Sequence, residues 1–153
     1  MKNKSRLTPL VLIIVLAAAF LLTACEKARL DQQVKELCAK DGGIKVYETV
    51  KLPADRFDQW GMVKPYDPTQ KENALGPDYI VKWNVQHYRD GEPSMRRDHF
   101  QVIRQSDLKL LGEAISYSRR GGDIPGPWHP SSLRCPDQAD DVMLIKQVFI
   151  HSN

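Results

Sequence analysis

Alternating hydrophobic and polar residues mark the clearest element of the chain, a β-hairpin over residues 79–104. The two alternating runs flank Asp90-Gly91-Glu92-Pro93, which is typical of a turn. A slip by one residue would bring polar side chains into the core, so the pattern selects one register and leaves the opposite face polar and solvated. The expected pairs are Arg89 with Ser94, Trp83 with Phe100, and Val81 with Val102.

The alternation continues after a turn at Ser106-Asp107, over residues 108–119. This third run predicts a three-stranded meander, and one of its faces carries only small residues that would admit close packing by a helix. The small residues are Gly112, Ala114, Ser116 and Ser118. A last apolar segment, residues 142–150, fits either a strand or a short helix, and its β-branched ends favour a strand.

Residues 26–40 carry apolar side chains at helical spacing, which predicts an amphipathic helix that ends at Gly42-Gly43. Residues 44–50 indicate a strand, residues 53–60 a short helix and residues 64–77 a surface loop. Together these elements predict an α+β domain in which the N-terminal helix packs on an antiparallel sheet that contains the three-stranded meander.

The first 24 residues show a different pattern, a charged start followed by an apolar run over residues 10–22. This order is typical of a secretory signal peptide. A membrane-spanning or uncleaved anchor is the alternative, but spanning needs about 20 apolar residues and the run is shorter. We therefore expect residues 1–24 to be a signal peptide and residues 25–153 to be a single mature domain.

The residues Leu22-Thr23-Ala24-Cys25 resemble the lipobox of bacterial lipoproteins. The resemblance implies a diacylglycerol thioether on Cys25, cleavage before it by signal peptidase II, and acylation of the new amino terminus by a chain such as palmitate. Because stable attachment needs more than one acyl chain, three chains would hold the protein on the lipid bilayer. Glu26 is not the aspartate associated with inner-membrane retention, so the resemblance favours the outer membrane, with the domain in the periplasm.

The net charge bears on which classes of partner to expect. The chain has 22 Lys and Arg against 19 Asp and Glu, a net charge of +3. Lys2, Lys4 and Arg6 of the signal peptide account for this excess, so the mature domain is formally neutral. Composition therefore gives no reason to expect nucleic acid or anionic lipid as a partner.

Cysteine usage predicts one disulfide. Lipidation uses Cys25 and leaves Cys38 and Cys135, which favours a bridge in an oxidising envelope. Such a bridge would close a loop across most of the domain, for which loop entropy predicts about 4–5 kcal/mol. Two separate buried thiols are the alternative. A metal pair is less favoured, because no zinc-type spacing accompanies the cysteines and the register places His87 and His99 on opposite faces. We expect no cofactor and no metal site.

The Gly- and Pro-rich segment 121–132, with the two arginines before it, is the candidate binding surface, because loops on rigid scaffolds often carry binding groups. Its candidate residues are Arg119, Arg120, Asp123, Trp128 and His129. A module that binds an anionic envelope component through Arg119, Arg120 and Trp128 is one function that this surface allows. The structural alternative is that Trp128 fills the end of the core and the prolines stiffen a long connection.

The same segment contains the residue types of a hydrolase triad, His129 with Ser131 or Ser132 and Asp123. Residue types alone are a weak signal, since no Gly-x-Ser-x-Gly motif is present and closeness in sequence is not the geometry of a triad. We expect no catalytic residues. A periplasmic hydrolase is kept as an alternative function.

Two segments are similar to those of a group of small proteobacterial envelope lipoproteins. They are residues 37–43, Leu-Cys-Ala-Lys-Asp-Gly-Gly, and residues 121–130, Gly-Gly-Asp-Ile-Pro-Gly-Pro-Trp-His-Pro. The resemblance implies no catalytic or ligand-binding residues. We expect a membrane-anchored, non-catalytic binding or assembly module that contacts another envelope protein or blocks an incoming one.

Overall fold

The computed structural model describes residue 11, residues 25–123 and residues 129–152. The predicted signal peptide, apart from residue 11, and Trp128 lie outside the described residues. The described part has the predicted α+β fold, with an N-terminal helix and a five-stranded antiparallel sheet.

The elements follow one another as α1 (residues 25–41), β1 (Gly43–Val46), β2 (Val50–Leu52), a first 3-10 helix (Ala54–Arg56), a second 3-10 helix (Pro68–Asn73), β3 (Tyr79–Arg89), β4 (Ser94–Arg104), β5 (Leu110–Arg120), β6 (Ser132–Cys135), α2 (Asp141–Val148) and β7 (Phe149–His151). The large sheet has the order β1-β5-β4-β3, and β6 also pairs with β5. β2 and β7 form a separate parallel pair. The predicted meander is therefore β3, β4 and β5, and β3 is an edge strand.

The β3–β4 hairpin has the predicted register along most of its length. The confirmed pairs are Trp83 with Phe100 and Val81 with Val102. Near the turn, a bulge between His87 and Arg89 adds one residue to β3, so Arg89 pairs with Met95. The predicted pairing of Arg89 with Ser94 is therefore wrong. Only Arg89 follows the bulge in β3, and one residue is too short a stretch for a change in the hydrophobic alternation to be seen.

Helix α1 packs on one face of the sheet, which we call the α1 face. Its buried side chains recur at helical spacing and contact apolar residues of β4 and β5. The buried residues are Leu30, Val34 and Cys38 of α1 with Met95, Ile115 and Tyr117 of the sheet. Removal of this apolar surface from water holds the helix in place, and the predicted packing of the N-terminal helix on the sheet is confirmed.

Helix α2 covers part of the opposite face, which we call the α2 face. A Cβ atom on Gly112 would lie 3.0 Å from Cδ1 of Leu144 and 3.0 Å from Cγ2 of Val148. The helix approaches this closely because the position has no side chain. The face of small residues on β5 therefore admits a helix, as predicted.

The prediction of a strand over residues 142–150 is wrong for most of its length. The side chain of Asp140 accepts a hydrogen bond from the N–H of Met143 and caps α2. Only Phe149–His151 is a strand. β-branched residues favour strands only weakly, and the cap together with burial of one helix face against β5 outweighs that preference.

Three shorter predictions are refined. Residues 44–50 contribute to two strands, β1 and β2, which belong to different sheets. The helix predicted for residues 53–60 is a single 3-10 turn, and the loop predicted for residues 64–77 contains the second 3-10 helix. The sequence does not predict β6, because four residues carry too little alternation to identify a strand.

Candidate functional site

Arg119 and Arg120 are neighbours in β5, so their side chains lie on opposite faces of the sheet. Arg119 is buried on the α1 face with 3% of its surface exposed. Its Nε donates a hydrogen bond to Oδ1 of Asp31 over 2.7 Å, and its Nη1 donates to the carbonyl oxygens of Gly121 and Ser131 over 2.8 Å and 2.9 Å. Arg119 therefore joins α1 to both ends of the 121–131 segment, a position that does not suit recognition of an external anion.

Asp123 holds the same segment from another side. Its Oδ1 pairs with Nζ of Lys27 and accepts the hydroxyl of Ser131 over 2.8 Å, and its Oδ2 accepts the Ser131 N–H over 2.5 Å. The Lys27 ammonium, followed by the two Ser131 donors, lowers the pKa of the Asp123 carboxyl far below its ordinary value. Asp123 is thus a carboxylate that fastens the segment between β5 and β6 to α1.

The residue types of a hydrolase triad lie near one another but are not linked as catalysis requires. The Ser131 hydroxyl donates to Asp123 and accepts from Nη1 of Arg119 over 2.9 Å. His129 and Ser132 are exposed. Within the described residues no hydrogen bond joins His129 to either serine, whereas a nucleophile needs a base within hydrogen-bond reach. This geometry positions Ser131 as a structural link.

Residues 82–88 of β3 are exposed throughout, and no strand among the described residues pairs with the outer side of β3. We call this stretch the hairpin edge. The indole of Trp83 is 56% exposed but fixed, because its Nε1 donates to Oδ1 of Asp98 over 3.1 Å and its ring stacks on Phe100 with centroids 5.5 Å apart. Alternation places Trp83 on the covered face, but α2 packs on β4 and β5 and leaves this part of the face open.

An apolar groove of 710 Å³ opens beside Trp83, between β3 and the second 3-10 helix. Val81, Phe100 and Tyr66 contribute apolar surface to it. The Tyr66 hydroxyl donates to Oδ2 of Asp141 over 2.5 Å, and burial together with this carboxylate raises the pKa of Tyr66. The volume suits one large side chain or a small ligand. The groove is continuous with the hairpin edge through Trp83.

A smaller polar pocket of 380 Å³ lies on the α2 face near the hairpin turn. Arginines from three strands border it, namely Arg96 of β4, Arg120 of β5 and Arg134 of β6. Three serines also line it, namely Ser94, Ser118 and Ser132. We call this the arginine pocket. Sequence reasoning found Arg120 but missed Arg96 and Arg134, because only the pairing of β4 and β6 with β5 brings these residues together.

The first turn of α1 is fixed at the hairpin-turn end of the sheet. Cys25 is exposed and is not part of a disulfide. The next two residues each form an ion pair with the domain, Glu26 with Arg89 and Lys27 with Asp123. A group attached to Cys25 would therefore be joined to this end of the domain without an intervening linker.

The predicted disulfide is confirmed. Cys38 and Cys135 are bonded with their Cα atoms 5.8 Å apart, although they are 97 residues apart in sequence. The bridge links the end of α1 to the end of β6 and lies on the α1 face. It therefore fastens the helix that follows Cys25 to the sheet.

Histidines do not form a metal site in the described part of the chain. The register places His87 and His99 on opposite faces, as predicted, and Nε2 of His99 is 2.8 Å from Oε2 of Glu113. Within residues 25–123 and 129–152, no group of three or more His, Cys, Asp and Glu side chains could hold a metal ion.

Comparison of the chain with protein-family profiles, with curated proteins and with solved structures gave no match. No helix among the described residues is both long and apolar enough to cross a membrane.

Proposed function

We propose that the protein is a non-catalytic binding module of a bacterial cell envelope, anchored to the membrane through acyl chains on Cys25. The anchor follows from the lipobox resemblance, which also favours the outer membrane and a periplasmic domain. The binding role is carried by one observation, the exposure of residues 82–88 along the free edge of β3. The partner is another envelope protein.

The hairpin edge has the properties of a contact surface. An unpaired strand edge presents backbone N–H and C=O groups that can pair with a strand of another chain. Trp83 and Tyr88 add exposed aromatic surface, and aromatic residues are enriched at protein interfaces. The Trp83 indole is already held by Asp98 and Phe100. Binding would therefore cost little side-chain conformational entropy at this residue.

The anchor places this surface close to the bilayer. Glu26 pairs with Arg89 at the end of β3, so a lipidated Cys25 would hold the hairpin-turn end of the sheet near the membrane. A module held in this way meets partners that lie in or on the same membrane, and tethering raises their effective concentration. This position favours contact with another membrane-associated protein.

Site-specific photo-crosslinking tests the binding surface. A photoreactive amino acid is placed at Val85, in the hairpin edge, or at Lys51, an exposed position in β2. Cells that express each full chain are irradiated, and crosslinked envelope proteins are identified by mass spectrometry. We expect a specific adduct from position 85 and none from position 51. Absence of adducts from position 85, or the same adducts from both positions, would overturn the proposal.

Intact-protein mass spectrometry of the membrane fraction tests the anchor. We expect a triacylated species that begins at Cys25, replaced by an uncleaved precursor when signal peptidase II is inhibited. Cys25→Ser is the matched control and should not be acylated. A full-length, unlipidated wild-type chain would contradict the proposed anchor. The binding role of the hairpin edge would still be tested by crosslinking.

A further inference from the structure

We infer that the arginine pocket binds a phosphate group, and that its position near Cys25 makes the phosphate of a lipid headgroup the expected source. The chemistry of the site is independent of the anchor. The choice of source rests on the proposed attachment at Cys25.

The three arginines keep donors for a ligand after their internal contacts are counted. Arg96 uses Nε for Oδ2 of Asp98 at 3.1 Å. Arg134 uses Nη2 for Oγ of Ser116 and the carbonyl oxygen of Ala139, both at 3.1 Å. Among the described residues, neither side chain has a partner for its remaining nitrogens. Both guanidinium groups are thus oriented by the protein and keep free donors on residues that line the pocket, an arrangement that favours anion binding.

Arg120 is exposed, as Arg96 and Arg134 are, but it differs from Arg96 in having no carboxylate partner among the described residues. β5 directs its side chain to the α2 face, where it borders the pocket. Its neighbour Arg119 also borders the pocket, but the guanidinium group of Arg119 is directed to Asp31 on α1. Arg120 therefore contributes a positive charge that no described carboxylate offsets.

Two carboxylates border the pocket, and neither cancels its positive charge. Asp98 is buried and already accepts from Trp83 and Arg96, so its charge is offset within the protein. Asp90 lies at the rim, is 87% exposed and is 3.1 Å from Nδ1 of His87. Arg120 and Arg134 have no carboxylate partner among the described residues, so their charges make the pocket net positive.

The number of donors favours phosphate over carboxylate. A carboxylate offers two oxygens, which one guanidinium group can satisfy in a bidentate pair. The pocket, with a volume of 380 Å³, is instead lined by three arginines and three serines from several strands. Donors on several strands suit a tetrahedral phosphate group, whose oxygens point in several directions, better than a flat carboxylate.

The position of the pocket indicates which molecule would provide the phosphate group. Asp90 of the pocket follows Arg89, the partner of Glu26, and Arg120 precedes Gly121 in the segment that Lys27 and Asp123 fasten to α1. The pocket and Cys25 therefore lie at the same end of the sheet. With acyl chains on Cys25, this end would face the headgroup layer, where phosphate is abundant and basic residues are attracted.

Isothermal titration calorimetry tests the site, using the full chain purified from membranes in a neutral detergent. Inorganic phosphate is titrated at low ionic strength, with chloride at matched ionic strength as the control for screening. We expect phosphate to bind and Arg120→Gln to weaken binding by about tenfold or more. Arg29→Gln, an exposed arginine of α1 outside the pocket, should bind as the wild type does. Arg134→Gln provides a second pocket variant, and thermal unfolding shows whether each variant is folded.

The source is tested with glycerophosphoglycerol, the water-soluble headgroup of phosphatidylglycerol. Tighter binding of this compound than of inorganic phosphate supports a lipid headgroup, whereas tighter binding of inorganic phosphate supports a free phosphate ligand and overturns the choice of source. Absence of phosphate binding, or unchanged binding in a folded Arg120→Gln variant, overturns the site itself. Failure of lipidation at Cys25 would leave phosphate binding intact, so the two proposals fail separately.

Discussion

Nε of Arg119 and Oδ1 of Asp31 lie 2.7 Å apart, although 88 residues separate them in the sequence. The pair connects the sheet to α1, the helix that directly follows the proposed lipid attachment site. Because Arg119 also donates to the carbonyl oxygens of Gly121 and Ser131, its loss would remove several hydrogen bonds at once. The residue thus stabilises the domain.

Substitution of Arg119 should therefore affect stability far more than substitution of its neighbour. We expect Arg119→Ala to lower the free energy of unfolding by about 2–4 kcal/mol, since it removes the partner of Asp31 and of the Gly121 carbonyl oxygen. Arg120→Ala, at the adjacent exposed position, should change it by less than about 0.5 kcal/mol. Urea denaturation of both variants measures the difference. Equal effects would contradict the structural assignment of the two arginines.

Asp123 should make stability depend on pH in the acid range. Its pKa in the folded protein is lowered by Lys27 and Ser131, so its contribution is complete above the ordinary pKa of an aspartate and is lost as the pH falls towards the folded-state pKa. We expect the wild type to be more stable than Asp123→Asn at neutral pH, with the gap narrowing at about pH 3.

Chemical denaturation at the two pH values measures that gap. Asp55→Asn is the control, because Asp55 is exposed and belongs to no ion pair among the described residues. Its small effect should be the same at both pH values. A gap for Asp123→Asn that stays constant or widens in acid would show that Lys27 and Ser131 do not stabilise the carboxylate.

The elements with long, regular patterns could be predicted from the sequence. The alternation in β3 and β4 is sufficient to identify the pairing of Trp83 with Phe100, and the helical spacing from Leu30 to Cys38 is sufficient to place α1 on the sheet. In both cases one face must be buried, so a single arrangement satisfies the pattern. The bulge after His87 does not alter the hydrophobic pattern, so the sequence does not predict it.

The candidate site was harder to predict, because it depends on which strands become neighbours. Arg119 and Arg120 look equivalent in sequence, and only the packing of α1 on one face makes the first structural and leaves the second exposed. Arg96 and Arg134 join Arg120 through strand pairing with β5, and the pairing of the four-residue strand β6 has no sequence signal. The candidate binding residues therefore lie in the arginine pocket and along the hairpin edge, and not in the 121–132 segment alone.

Close packing between β5 and α2 should make Gly112 intolerant of a side chain. A Cβ atom there would lie 3.0 Å from the carbonyl oxygen of Lys45 as well as from Leu144 and Val148, and a backbone oxygen in a paired strand cannot easily move. We expect Gly112→Ala to destabilise the fold by about 1–3 kcal/mol. Ser118→Ala, on the same strand and face, should have a smaller effect in the same urea denaturation assay. A neutral Gly112→Ala variant would contradict the closeness of the α2 contact.

The bond between Cys38 and Cys135 should determine how firmly α1 is held. Its removal in Cys38→Ala/Cys135→Ala should lower the free energy of unfolding by about 2–5 kcal/mol, because the unfolded chain regains the freedom that a closed loop denies it. A reductant should destabilise the wild type and Cys25→Ser alike but leave the double variant unchanged.

Hydrogen exchange of the amides in α1 would separate a local effect from a global one. Since Cys38 lies on the buried stripe of α1 with Leu30 and Val34, loss of the bond should accelerate exchange in α1 more than in β4. Equal acceleration in both elements would mean that the bond stabilises the whole domain without a particular effect on α1. In that case the bridge would not be the main connection between the proposed anchor and the sheet, and the ion pairs of Glu26, Lys27 and Asp31 would carry that role.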